Sequence, residues 1–107
     1  MDYEIDEFGN KCWYKEGEYH RIDGPAIEWA NGDKAWYKEG KLHRTDGPAI
    51  EYADGDKWWY KEGKLHRDDG PAIEWSNGDK EYYYLGKKIE CSSNEEYFNL
   101  LKLKAFW

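Results

Sequence analysis

The sequence has no valine, and leucine, isoleucine and phenylalanine together number only 15 of its 107 residues. So few aliphatic side chains, with a net charge of −7, would by themselves indicate a disordered chain. The 20 aromatic residues (7 Trp, 10 Tyr and 3 Phe) reverse that expectation, because each can bury roughly 150–250 Å². We therefore expect one folded domain that packs on aromatic rather than aliphatic side chains.

Long apolar runs and clustered cysteines are also missing. No stretch approaches the roughly 20 apolar residues of a membrane-spanning helix, and the acidic N-terminus lacks the basic-then-apolar layout of a signal peptide. Cys12 and Cys91 lie near opposite ends and make no disulfide framework. These absences predict a cytoplasmic protein (in the host cytoplasm, if a phage encodes it) with no membrane partner.

The acidic charge is unevenly distributed along the chain. Residues 1–10 carry −4, residues 11–79 carry −4 in all, and residues 80–107 carry +1. Duplex nucleic acid is bound by clustered Lys and Arg, so we expect no duplex partner. The reverse stays open, namely that acidic rows imitate nucleic acid toward a basic protein.

A 23-residue repeat dominates the sequence and predicts a single repeat domain over residues 1–107. The second and third full copies agree at 18 of 23 positions. The predicted parts are an N-terminal half repeat (1–10), three full repeats (11–33, 34–56 and 57–79), a partial repeat (80–91) and a C-terminal helical cap (92–107).

Each full copy contains an Asn-Gly or Asp-Gly pair between two short strands, which predicts a β-hairpin with a two-residue type I′ turn. In the middle hairpin this register places Ile50 opposite Trp59, on a face we expect to be buried. Glu51 then lies opposite Trp58 on the other face. Because the copies have Cys, Ala, Trp or Glu at the position of Trp58, we expect that position to be exposed.

Hairpins of this kind should stack edge to edge. The predicted fold is mainly β, a single-layer antiparallel stack of three to four hairpin repeats with compact connectors over one side. A capping box over Ser93 and Glu96 starts a predicted C-terminal helix, in which Tyr97–Ala105 has apolar residues on most sides. We expect the helix to close the last hairpin; the alternative is a helix that binds a partner.

These motifs resemble the MORN repeat family and its bacterial and phage relatives over residues 3–90. The matching turns and connectors are Asn31-Gly32-Asp33, Asp54-Gly55-Asp56, Asn77-Gly78-Asp79, Gly40-Lys41-Leu42-His43 and Gly63-Lys64-Leu65-His66. The chain departs from the commonest pattern with Asp-Gly-Pro-Ala at the strand start and Trp-Tyr-Lys in the second strand. The resemblance therefore implies the tandem-hairpin architecture, without the lipid binding of the family.

A repeated His-Arg-x-Asp motif is the most chemically suggestive feature. It consists of His20, Arg21 and Asp23; His43, Arg44 and Asp46; and His66, Arg67 and Asp69. A histidine near a carboxylate could be a general base or a metal ligand. Equivalent histidines two strands apart are separated by roughly 9–10 Å, too far for one metal. Since an active site is needed only once, we expect a structural ladder, with no catalytic residue, metal or cofactor.

Binding is the remaining function. The predicted surface combines aromatic anchors with flanking carboxylates, namely Trp58, Tyr37, Tyr60, Tyr14, Tyr83, Glu51 and Glu74. We expect a non-enzymatic protein-binding module, in its most specific form a small phage-type inhibitor of a host defence protein. Its partner would be basic or offer a pocket for an aromatic side chain. The alternatives are a small-molecule (nucleotide) trap and an acidic nucleic-acid mimic, in a monomer or an edge-paired dimer.

Overall fold

The computed structural model describes residues 3–103, which form short β-strands and one C-terminal α-helix. The strands are β1 (Tyr3–Ile5), β2 (Lys11–Lys15), β3 (Glu18–Tyr19), β4 (Ile27–Glu28), β5 (Lys34–Ala35), β6 (Tyr37–Lys38), β7 (Lys41–Leu42), β8 (Ile50–Glu51), β9 (Lys57–Trp58), β10 (Tyr60–Lys61), β11 (Lys64–Leu65), β12 (Ile73–Glu74), β13 (Lys80–Tyr84) and β14 (Lys87–Ile89). The helix α1 covers Asn94–Leu103.

An antiparallel sheet of ten strands runs through all the repeats. Its order is β1-β2-β4-β5-β8-β9-β12-β13-β14, with β3 paired to β2. The pairs β6-β7 and β10-β11 form two smaller sheets. The predicted mainly β stack of hairpins with a C-terminal helix is confirmed. At one edge, β1 exposes Tyr3 and Ile5, so an edge-paired dimer stays a prediction for this strand.

The predicted hairpin register is wrong by one residue. Ile50 lies opposite Trp58 instead of Trp59, and Glu51 lies opposite Lys57. A three-residue loop causes the shift, because Tyr52 N donates to Asp56 O at 3.0 Å and closes the hairpin one residue earlier than a two-residue turn would. This one-residue difference moves each side chain of the strand to the other face.

The loop is a type I turn followed by a glycine bulge. Gly55 N donates to Tyr52 O at 3.0 Å, and Gly55 alone in the loop has a positive φ, of 103°. Asp54 does not take the left-handed conformation that a type I′ turn requires. Its side chain instead accepts a hydrogen bond from Asp56 N at 3.0 Å and stabilises the turn.

The corrected register places the variable position in a row with the isoleucines. The prediction that this position is exposed is wrong. This isoleucine row is Cys12, Ile27, Ala35, Ile50, Trp58, Ile73 and Glu81. Ala35 is only 1 % exposed, and Trp58 packs edge-on against Trp75 at 5.6 Å between ring centroids. Glu81 accepts a hydrogen bond from Trp75 Nε1 at 2.9 Å. The position varies because each residue fits different neighbours.

The connector between hairpins is itself a hairpin, which the sequence analysis missed. Lys61 lies opposite Lys64, and both turn residues between them have positive φ, 49° at Glu62 and 83° at Gly63. The type I′ geometry predicted for the Asp-Gly loops therefore occurs at Glu-Gly. A glutamate seldom adopts a positive φ, which costs an L-residue roughly 1–2 kcal/mol, so Glu-Gly is a weak sequence signal for this turn.

The helix α1 closes the last hairpin. Ser93 Oγ accepts a hydrogen bond from Glu96 N at 3.1 Å, as expected of an N-cap. Tyr97 is 0 % exposed and packs with Tyr82 and Ile89. Ala105, part of the predicted helix, lies outside the described residues. Within residues 3–103 no helix is long and apolar enough to cross a membrane.

Tyr97 should make stability depend on alkaline pH. Burial raises the pKa of its hydroxyl, with smaller contributions from Asp68 and Cys91. Because the folded state favours the neutral phenol, this contribution is fully present below the pKa of an unfolded tyrosine, about 10, and is lost as the pH rises above it. We expect the urea midpoint to fall as the pH rises above about 10, and to fall less in Tyr97→Phe. Equal losses in both proteins would contradict this role.

Candidate functional site

The arginines of the His-Arg-x-Asp motif are held by their own repeats. Arg44 donates from Nε to Asp46 Oδ1 at 2.9 Å, and from Nη1 to Pro48 O at 3.0 Å and Glu51 Oε2 at 2.9 Å. Its Cζ lies 3.8 Å from the centroid of the Trp36 ring. This arginine clamp recurs at Arg21 with Asp23 and Glu28 over Trp13, and at Arg67 with Asp69 and Glu74 over Trp59.

The charged groups of each clamp are paired with one another. The hydrogen bond from the Arg44 guanidinium holds the pKa of Asp46 below its ordinary value, and Arg21 has the same effect on the pKa of Asp23. Each guanidinium is therefore oriented by its own carboxylates and does not point out as a free anion-binding group.

The histidines join each repeat to the next. His20 Nδ1 accepts from Glu39 N at 3.1 Å, and His43 Nδ1 accepts from Glu62 N at 3.1 Å. In the third copy, His66 Nδ1 accepts from Leu85 N at 2.9 Å. These acceptors satisfy the backbone of the positive-φ turn residues. Across residues 3–103, no three His, Cys, Asp or Glu side chains are grouped so that they could hold a metal ion.

Four of the predicted binding residues come together in a row. These residues occupy equivalent places in the connector hairpins and are all half-buried, namely Tyr14, Tyr37, Tyr60 and Tyr83. Their cross-strand partners are Tyr19, Leu42, Leu65 and Lys88. We define the tyrosine row as Tyr14, Tyr19, Tyr37, Leu42, Tyr60, Leu65 and Tyr83.

The tyrosine row continues from one repeat to the next. The ring centroids of Tyr14 and Tyr19 are 5.2 Å apart, and those of Tyr19 and Tyr37 are 5.1 Å apart. Backbone hydrogen bonds join successive hairpins, from Gly40 N to Tyr19 O at 3.1 Å and from Gly63 N to Leu42 O at 2.8 Å. The backbone therefore fixes the spacing of the tyrosine row.

Partial burial disfavours ionisation of three tyrosines in this row. Desolvation raises the pKa of Tyr37 and of Tyr60 above the ordinary value. At the first repeat, desolvation together with neighbouring Cys12 and Tyr19 raises the pKa of Tyr14 to about 12. As neutral phenols, these three hydroxyls can both donate and accept a hydrogen bond at neutral pH.

Three other predicted binding residues are not part of the tyrosine row. Trp58 belongs to the isoleucine row, and its buried indole Nε1 has no hydrogen-bond partner within residues 3–103. Glu51 and Glu74 occupy the adjacent strand position, which faces the opposite side of the sheet, where Arg44 and Arg67 hold them. The row also contains Tyr19, Leu42 and Leu65, which are not among the predicted binding residues because they join the row only through the Glu-Gly hairpin.

Two open clefts lie between consecutive repeats. The first cleft, between residues 11–33 and 34–56, has a volume of about 700 Å³ and is lined by Arg21, Trp36 and Tyr37, among others. The second cleft, between residues 34–56 and 57–79, has a volume of about 660 Å³ and is lined by the equivalent Arg44, Trp59 and Tyr60. Both volumes are within the usual range of ligand sites.

Comparison of the chain with protein-family models, curated proteins and solved structures finds no match. The resemblance to the MORN repeat family stays a prediction from the motifs quoted above.

Proposed function

We propose that this chain is a non-enzymatic protein-binding module whose contact surface is the tyrosine row. The observation that carries the proposal is the continuity of half-buried rings and leucines across successive hairpins. Tyrosine is favoured as an interface anchor because it offers a large apolar ring and a polar end, with only two side-chain torsions to fix on binding. The net charge of −7 favours association with a basic partner.

The two alternative functions find less support in the geometry. A nucleotide trap needs a cation for the phosphate, and the repeated arginines are already held by carboxylates and a carbonyl. A nucleic-acid mimic needs rows of one charge. The glutamates of the sheet instead alternate with lysines in the paired positions Lys11, Glu28, Lys34, Glu51, Lys57, Glu74 and Lys80.

The more specific form of the proposal concerns the identity of the partner. A compact acidic repeat protein with a preformed contact row suits an inhibitor that covers a site on a larger protein. We extend the resemblance to phage and bacterial repeat proteins accordingly, and propose a host defence protein as the target. Because this chain is acidic, we expect the contact site on that target to be basic.

Substitution of the row should weaken capture of the partner. We expect the double variant Tyr37→Ala and Tyr60→Ala to bind its partner about 30-fold or more weakly, since central tyrosine anchors often contribute 2 kcal/mol or more. The measurement is capture of partner from a nuclease-treated bacterial lysate by the tagged chain, quantified against wild type.

Two controls separate binding from folding. The variant Lys34→Ala and Lys57→Ala changes exposed lysines of the same repeats that lie outside the tyrosine row and the two clefts, and should capture normally. A Tyr37→Leu and Tyr60→Leu variant retains apolar packing, so its loss of capture cannot be attributed to unfolding if its urea midpoint is near wild type. Wild-type capture by both tyrosine variants would refute the proposed surface.

A further inference from the structure

The cleft that follows the third repeat is filled by the chain itself. The hydroxyl of Tyr97 is shared between two backbone carbonyls, Arg67 O at 2.7 Å and Tyr83 O at 3.1 Å. The ring of Tyr97 lies against Tyr82, with 5.0 Å between centroids. A phenol presented by a helix therefore closes this cleft.

The first and second clefts offer the same pair of carbonyls. Residues Arg44 and Tyr60 precede Arg67 and Tyr83 by one 23-residue repeat, and Arg21 and Tyr37 precede them by two. In all three places the backbone N–H of the arginine donates to the backbone carbonyl of the tyrosine at 3.4 Å, so the local backbone geometry is repeated. Neither Arg21 O nor Arg44 O accepts a hydrogen bond from residues 3–103.

We propose that the first and second clefts each bind a tyrosine side chain carried by a basic segment of the partner. The assignment of that side chain to a protein rests on the proposed function. The ligand hydroxyl would donate to the arginine and tyrosine carbonyls, as Tyr97 does. Its ring would lie beside Trp36 in the first cleft and Trp59 in the second, which stand at the position of Tyr82.

The open clefts contain an arginine that the filled cleft lacks, and this arginine favours binding of an aromatic ring. Glu90 occupies the place of Arg67 in the fourth copy, so Tyr82 has Tyr97 as its aromatic neighbour and no arginine clamp. In the second cleft the Arg67 guanidinium lies over Trp59 and also lines the cleft. A phenol ring entering there would contact a guanidinium as well as the tryptophan, which aromatic rings favour.

Charged side chains of both signs line the open clefts. In the second cleft Asp46 and Asp69 are paired with Arg44 and Arg67, whereas Asp68 contacts His66 and its side chain is 76 % exposed. This exposed carboxylate, together with the net charge of −7, favours a tyrosine flanked by Lys or Arg.

A peptide titration tests this assignment without the partner. The probe is acetyl-Lys-Tyr-Lys-amide, added to the ¹⁵N-labelled full chain. We expect saturable shifts of the indole N–H signals of Trp36 and Trp59, which line the clefts, and none for Trp29 and Trp75, which lie outside them. The Lys-Phe-Lys peptide should bind about 2- to 12-fold more weakly for lack of the hydroxyl. Glu-Tyr-Glu should also bind more weakly.

The opposite results overturn the inference. Equal binding of the Tyr and Phe peptides would show that the hydroxyl does not donate to the carbonyls. The absence of any shift at Trp36 or Trp59 would show that the clefts do not bind the peptide. Shifts that grow with protein concentration alone would assign the clefts to a second copy of the chain. None of these outcomes decides the proposed function, because that function is scored by capture of a polypeptide from a lysate, which the peptide titration does not measure.

Discussion

Replacing Tyr97 by alanine should lower the free energy of unfolding by about 3–5 kcal/mol, the usual cost of removing a buried aromatic side chain. Tyr97 is fully buried and packs on Tyr82 and Ile89, and its hydroxyl donates to the carbonyls of Arg67 and Tyr83. Such a loss is a large share of the stability of a small domain. Urea unfolding followed by tryptophan fluorescence measures it.

Two further variants separate packing from hydrogen bonding at this site. Tyr97→Phe keeps the ring and loses the hydroxyl, so it should cost only about 1–2 kcal/mol. Phe98→Ala, next in the helix but 38 % exposed, should cost less than Tyr97→Ala. A Tyr97→Ala protein as stable as wild type would show that the helix does not close the stack.

Arg44→Ala is expected to give the second large loss, about 3 kcal/mol. The substitution uncovers Trp36, leaves Pro48 O without its donor and leaves the Glu51 carboxylate without its ion pair. Hydrogen bonds to charged groups contribute about 1.5–3 kcal/mol and a partly desolvated cation–π contact about 0.5–2 kcal/mol, and these values overlap when one residue supplies both. The measurement is again the urea unfolding of single variants.

Arg44→Lys tests the geometry of the clamp. Lysine keeps the charge but lacks the planar fork, so we expect it to recover less than half of the loss. Lys38→Ala, an exposed cation in the same repeat, serves as the matched control and should change stability by no more than about 0.5 kcal/mol. Full recovery with lysine would indicate that charge alone, rather than the fork, stabilises the repeat.

The sequence predicted the larger organisation because the 23-residue period and the aromatic content constrain it strongly. The hairpin register was not predictable from the Asp-Gly pair alone. Whether the loop has two or three residues depends on whether Asp54 takes a positive φ, and here its side chain hydrogen-bonds to Asp56 N instead. That one residue moved Trp58 from the predicted binding face into the isoleucine row.

The site was only partly predictable for a related reason. Tyr14, Tyr37, Tyr60 and Tyr83 were found because they repeat, while Tyr19, Leu42 and Leu65 depend on a turn at Glu-Gly, where a glutamate adopts an unfavourable φ. The match between Tyr97 and the open clefts involves residues 30 and 14 positions apart in the chain. Contacts of that kind become visible only once the repeats are stacked.

Native mass spectrometry of the chain captured from a nuclease-treated bacterial lysate would decide whether the tyrosine row binds a protein. We expect the wild-type chain to elute with the added mass of a polypeptide, and this mass to be lost in the Tyr37→Ala and Tyr60→Ala double variant but kept in the Lys34→Ala and Lys57→Ala control. An added mass of nucleotide size on the wild-type chain, or a polypeptide retained by the tyrosine variant, would contradict the proposed function.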